Sequence, residues 1–125
     1  MKIAVIIIRT LIGLLFLFAS ITFFLNLAPQ PELKGNVKLF SDGMTASVYM
    51  MPLVKIIELL CGIAFVSGWF VPLAAVVIFP IAVNILLFHV FLAPEGLPVA
   101  IPLFLGILFI AYANRKNYET LLATK

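Results

Sequence analysis

Four side chains stand out from an apolar sequence because their types and positions could do chemistry: Arg9, Glu58, Asn84 and His89. Each lies within a long hydrophobic run, where an ionisable or amide group costs free energy unless something satisfies it, which makes each a functional candidate. Glu58 is a proton-handling or headgroup-binding carboxyl, or else a clamp that hydrogen-bonds a neighbouring helix. Asn84 is the natural partner for such a clamp. His89 offers one imidazole that can bind a quinone carbonyl or satisfy loop backbone. It is the only histidine, so one chain cannot supply a bis-histidine haem site or a multi-histidine metal site. Arg9 is expected to snorkel to the interface, meet a lipid phosphate, or bond near Tyr112.

The elements that position these groups follow from hydropathy. Of the 125 residues, 65% are hydrophobic and 10% charged, against roughly 25% charged in a soluble domain. This surface is built for lipid. The apolar runs cover about residues 3–27, 49–69, 72–92 and 98–113, and roughly 20 residues suffice to cross a bilayer. The opening run is too long for a secretory signal, lacks an A-x-A site, and reads as a retained span. Asn26, Pro29 and Pro31 end it. The sequence thus predicts an all-α integral membrane four-helix bundle with antiparallel transmembrane helices in one domain, residues 1–125. Residues 28–48 form an outward connector in which Val37, Leu39, Phe40, Met44 and Val48 allow either an interfacial helix or a loop. Residues 114–125 form a cytoplasmic tail.

The second and third spans are joined only by Gly68-Trp69-Phe70-Val71-Pro72, so they are antiparallel neighbours. Counted from the outer boundary at 1.5 Å per residue, Glu58 lies about 12 Å deep and Asn84 about 10–11 Å. They are level, and can bond if their faces meet. Lys55, one turn above Glu58, is expected to snorkel outward as an anchor. Arg9 falls about 15 Å from Glu58 along the axis, too far to pair with it. Pro80 is expected to kink the third span, and Ala64 and Gly68, with Gly62 nearby, allow close helix approach. Cys61 is a lone thiol with no partner for a disulfide or a CxxC exchange, and reads as packing.

The net charge of +3 bears on membrane orientation and gives no sign of nucleic-acid binding. Lys2, Arg9, Arg115, Lys116 and Lys125 fall on the side of the termini, against Lys34, Lys38 and Lys55 opposite, which favours cytoplasmic termini. No phosphate loop, dinucleotide fingerprint, zinc-protease motif or nucleophile elbow is present in the sequence.

Particular residues resemble the DoxX-like family of small bacterial four-span membrane proteins. Arg9 with Leu11, Gly13 and Phe16 is similar to its R-x-L-x-G-x-x-F opening, and Glu58-Leu59-Leu60-Cys61-Gly62 to its E-L-x-x-G. Pro80 through Asn84-Ile85-Leu86-Leu87-Phe88-His89 resembles the P-x-x-x-N-I-L-x-F-H run of one subgroup. The resemblance implies a four-helix bundle in the cytoplasmic (inner) membrane. It also implies association with quinone-linked or redox-defence systems. The expected function is a non-catalytic accessory or scaffold subunit held by Glu58, Asn84 and Arg9, with membrane lipids and a protein partner or second copy as its contacts. The alternative is a quinone- or lipid-binding subunit whose pocket sets Glu58, Asn84 and His89 among Phe65, Phe79 and Phe88. A small proton-coupled transporter is the weaker third reading.

Overall fold

The computed structural model describes residues 2–25 and 34–123, which form five α-helices and no strand. Helix α1 is Lys2–Leu25, α2 Gly35–Ala46, α3 Met50–Ser67, α4 Val71–Phe91 and α5 Leu97–Ala113. Short 3-10 turns at Pro94–Gly96 and Arg115–Tyr118 precede and follow α5. Helices α1, α3, α4 and α5, the last counted with its 3-10 turn, are each long and apolar enough to span a membrane. The expected end of the first span at Asn26, Pro29 and Pro31 lies outside the described residues.

Local chemistry sets the helix boundaries. Ser47 Oγ accepts a hydrogen bond from the Met50 amide at 3.1 Å and donates to Met44 O at 2.6 Å, closing α2 and opening α3. Pro52 sits in the first turn of α3, where no intrahelical donor is lost. That helix stops at Gly68, whose φ of 83° is left-handed and whose amide donates to Ala64 O at 2.9 Å. Such a cap suits glycine. Phe70 adopts φ 58° at the start of α4, a conformation that costs a side-chain-bearing residue energy and that the short turn imposes. Helix α4 runs unbroken through Pro80.

Helix α1 packs on α3, α3 on α4, α4 on α5, and α5 back on α1, closing a four-membered ring. Phe16, Phe65, Ile78, Ile107 and Ile110 fill its centre, while Leu11, Leu60, Leu73 and Leu105 point outward and exposed. An exterior as apolar as the interior is what a helix bundle in lipid requires. Because lipid tails are as apolar as leucine, such helices associate through close packing. The closest approach is between α1 and α3: a Cβ on Gly13 would meet the Gly62 carbonyl oxygen at 2.9 Å, and one on Gly62 would meet that of Gly13 at 3.0 Å. Arg9 reaches Gly68 and Phe23 reaches Lys55 along the same seam, so the pair is antiparallel. The sequence placed the small-residue contact at Gly62, Ala64 and Gly68; its other half is Gly13.

Residues 35–46 of the connector are helical, forming α2. Val37, Ser41 and Met44 turn partly buried toward the bundle, and Phe40 meets Phe88 of α4 at 5.2 Å between ring centroids. Leu39 and Val48, expected on the same apolar face, are exposed.

Leucine at position 62 forces α1 from α3 and should destabilise the protein by about 1–3 kcal/mol. Gly43 in α2 has nothing within 4 Å of an added Cβ, so Gly43→Ala should be neutral or stabilising by up to about 1 kcal/mol. Thermal unfolding of both variants in detergent checks the contrast.

Candidate functional site

Glu58 faces the bundle core from α3 and is 4% exposed. A carboxylate there needs a counter-charge, and the nearest is one turn back: Lys55 Nζ lies 3.1 Å from Glu58 Oε2. This pair replaces the expected bond from Glu58 to Asn84. Counting depth along the helices located both groups, but depth says nothing about rotation: Asn84 is exposed on α4 on the side that α2 covers, with no hydrogen bond among the described residues. Lys55 likewise turns inward toward Glu58, with its ammonium 5.9 Å from the Phe23 ring centroid on α1. The cost of stranding a buried carboxylate outweighs the gain from snorkelling. Both members of the pair belong to one helix, so the pair does not clamp α3 to a neighbour.

Above this pair, α2, α3 and α4 border an open cavity of about 270 Å³. Phe40, Met44, Met51 and Phe88 make its apolar wall, and Ser41, Lys55, Asn84 and His89 bring polar groups to it. His89 Nδ1 lies 2.8 Å from Ile85 O, one turn back on α4. A carbonyl oxygen only accepts, so the ring proton sits on Nδ1, and in the neutral ring Nε2 presents a lone pair. Nε2 has no protein partner among the described residues. The bond runs to the histidine's own helix, where loop backbone was expected. The Cδ2–Nε2 edge of the ring packs on Gly96, where an added Cβ would collide with both atoms.

Three of the four sequence candidates thus converge at one end of the bundle: Asn84 and His89 directly, and Glu58 through Lys55. Phe88 joins them as expected. Phe65 belongs to the closed core, and Phe79 instead meets Phe104 of α5 at 5.9 Å. The sequence reading missed Ser41, Phe40 and Gly96, which reach the site only because α2 and the Pro94–Gly96 turn fold over it. Lys55 carried a signal in its i, i+3 spacing to Glu58.

Arg9 stands at the other end. Its guanidinium rests on Gly68 at the end of α3, and its buried Nε has no hydrogen-bond partner. The Tyr112 carbonyl, an expected neighbour, is taken by Arg115 Nη1 at 3.1 Å, and Arg115 also stacks 4.4 Å over the Tyr112 ring. Cys61 is buried, with Sγ 3.7 Å from Ala74 O.

Glu58→Leu leaves the Lys55 ammonium without its counter-charge and should cost about 3 kcal/mol, whereas Lys55→Met combined with Glu58→Leu should recover most of that loss. Denaturation of the single and double variants in one detergent measures the difference.

The polar residues also fall within a region that a family model matches. No curated protein and no solved structure matches the chain. A family model, DoxX, matches residues 4–90. That span covers α1 to most of α4, with Arg9, Lys55, Glu58, Asn84 and His89 all inside it. Together with the four apolar helices, the match makes this a multi-pass membrane protein: the chain belongs to the DoxX family.

Proposed function

We propose that this DoxX-family protein is a non-catalytic accessory subunit that holds a membrane-soluble ligand of the quinone/quinol class in the cavity between α2, α3 and α4. One observation carries the reading: Ser41, Asn84 and His89 line an otherwise apolar cavity in a membrane bundle, and the Asn84 amide and His89 Nε2 have no protein partner among the described residues. Ligand sites typically combine an apolar lining with a few placed polar groups. The volume of about 270 Å³ falls just below the roughly 300–1,000 Å³ usual for such sites, which suits a ring-sized head whose tail runs out between helices into lipid.

The donor pattern refines the sequence expectation for His89. The Lys55 ammonium and the Asn84 amide donate, and so match a quinone carbonyl. The neutral His89 Nε2 accepts, and so matches a hydroxyl of the reduced ring. Pure scaffolding by Glu58, Asn84 and Arg9 has less support, because none of them makes a side-chain hydrogen bond to another helix among the described residues.

We infer a bacterial cytoplasmic membrane from the family, and cytoplasmic termini from the bias of Lys2, Arg9, Arg115, Lys116 and Lys125 against Lys34, Lys38 and Lys55. The cavity then opens toward the outer leaflet. A protein partner or second copy within the membrane completes the proposal, since an accessory subunit acts on something else.

Protein purified gently from quinone-containing membranes should retain quinone in its lipid extract. Asn84→Leu and His89→Ala should each cut retention at least severalfold, while an exposed control, Leu73→Ala, should not. Equal retention in all four proteins contradicts the proposal.

A further inference from the structure

The α3–α4 turn lies level with Arg9, seven residues into α1, so about 10 Å of α1 extends beyond that turn. The Arg115–Tyr118 segment folds back toward the start of α4, where the Tyr118 hydroxyl donates to Pro72 O at 2.8 Å. Desolvation raises the Tyr118 phenol above its ordinary range, which keeps that donor proton in place at neutral pH. Arg9 thus lies at the end of the bundle where the α3–α4 turn and the Arg115–Tyr118 segment meet, with its guanidinium against Gly68.

The guanidinium carries five N–H donors, and none makes a hydrogen bond among the described residues; Nε is buried without a partner. Lys55–Glu58 is the one salt bridge found among those residues, and it lies at the opposite end. Among the described residues, the guanidinium therefore has neither a carboxylate nor a hydrogen-bond acceptor. Position is enforced by Gly68: its φ of 83° excludes most side chains, and any Cβ there would meet Arg9 Nη1 at 2.6 Å. The α3 C-terminus adds partial negative charge beneath the group and favours it there, without consuming its donors. Trp69 and Phe70 project beside it, exposed, as aromatic residues do at the membrane–water boundary. Arg9 therefore stands level with an exposed aromatic pair of the kind that marks headgroup depth.

We propose that Arg9, seated on Gly68, binds the phosphate of an anionic membrane lipid. A planar guanidinium offers paired N–H groups that match two phosphate oxygens. Lys116 and Lys2, exposed at the same end, add positive potential that favours a net anionic headgroup over a zwitterionic one. The proposal is independent of the cavity at the far end.

The test is native mass spectrometry of the full chain with phosphatidylglycerol, phosphatidylcholine or diacylglycerol added to the detergent. The wild-type protein should hold one phosphatidylglycerol through collisional activation, at least tenfold more than diacylglycerol. Arg9→Gln should lose that preference, and Arg9→Lys, a point charge without the fork, should keep only part of it. Gly68→Ala, which displaces the guanidinium without removing its charge, should also weaken retention, and supplies the test if Arg9→Gln does not fold. Undiminished phosphatidylglycerol retention in Arg9→Gln, or in Gly68→Ala where that variant stands in, overturns the proposal. So does equal retention of diacylglycerol by the wild-type protein. Displacement of the lipid by millimolar inorganic phosphate would assign the site to free phosphate and overturn the lipid as its occupant.

Discussion

Helices α1 and α3 meet backbone to backbone at Gly13 and Gly62, and this contact sets the geometry of both ends of the molecule. Each glycine lacks the one atom that would collide with the carbonyl of the other. In water, hydrophobic burial would drive the two helices together. In lipid that drive is missing, and dispersion between closely fitted surfaces has to take its place. Once the glycines fix the register, Phe23 falls over Lys55 at one end and Arg9 falls on Gly68 at the other. A shift of one helical turn along the seam would misplace both.

The polar groups obey a second constraint. Near the cavity end, the buried Glu58 carboxylate and the Lys55 ammonium make a pair that is neutral overall and confined to α3. Confinement to one helix leaves α2 and α4 free of strong polar ties to that carboxylate, and their packing over the pair defines the cavity. The hydrogen-bonding capacity left at its wall, from Asn84 and His89, is outside the helix ladders. Cys61 and Ser20 show the contrasting solution. Both are polar and buried, and each points at a carbonyl, the Ser20 hydroxyl donating to Phe16 O at 2.6 Å.

Much of this was legible in the sequence because the signals are local. Run length gave the spans, Gly68 through Pro72 gave a tight hairpin, and an acidic residue in an apolar run marked Glu58. The R-x-L-x-G and E-L-x-x-G patterns pointed to the family, and their glycines turn out to be the two halves of the α1–α3 contact. What escaped was rotational or long-range. A helix that is apolar on every side carries no amphipathic phase, so nothing in α4 disclosed that Asn84 faces the α2 side and not Glu58. Helix α2 has few apolar residues, and the choice among them was settled by packing: Phe40 and Met44 face the bundle, and Leu39 and Val48 do not. The Lys55 side chain was free to point either way, and the burial of Glu58 decided its direction.

Because the chain contains a single histidine, ¹⁵N NMR of the labelled imidazole in detergent micelles reads the site without ambiguity. Nδ1 should appear protonated and stay unmoved when a short-chain quinol is titrated in, held by Ile85 O. Nε2 should start as an unprotonated lone-pair nitrogen and shift as the quinol hydroxyl binds to it. If both nitrogens keep their resonances at saturating quinol, or if the proton resides on Nε2 from the start, the account of the cavity as a ligand site built around an open acceptor is wrong.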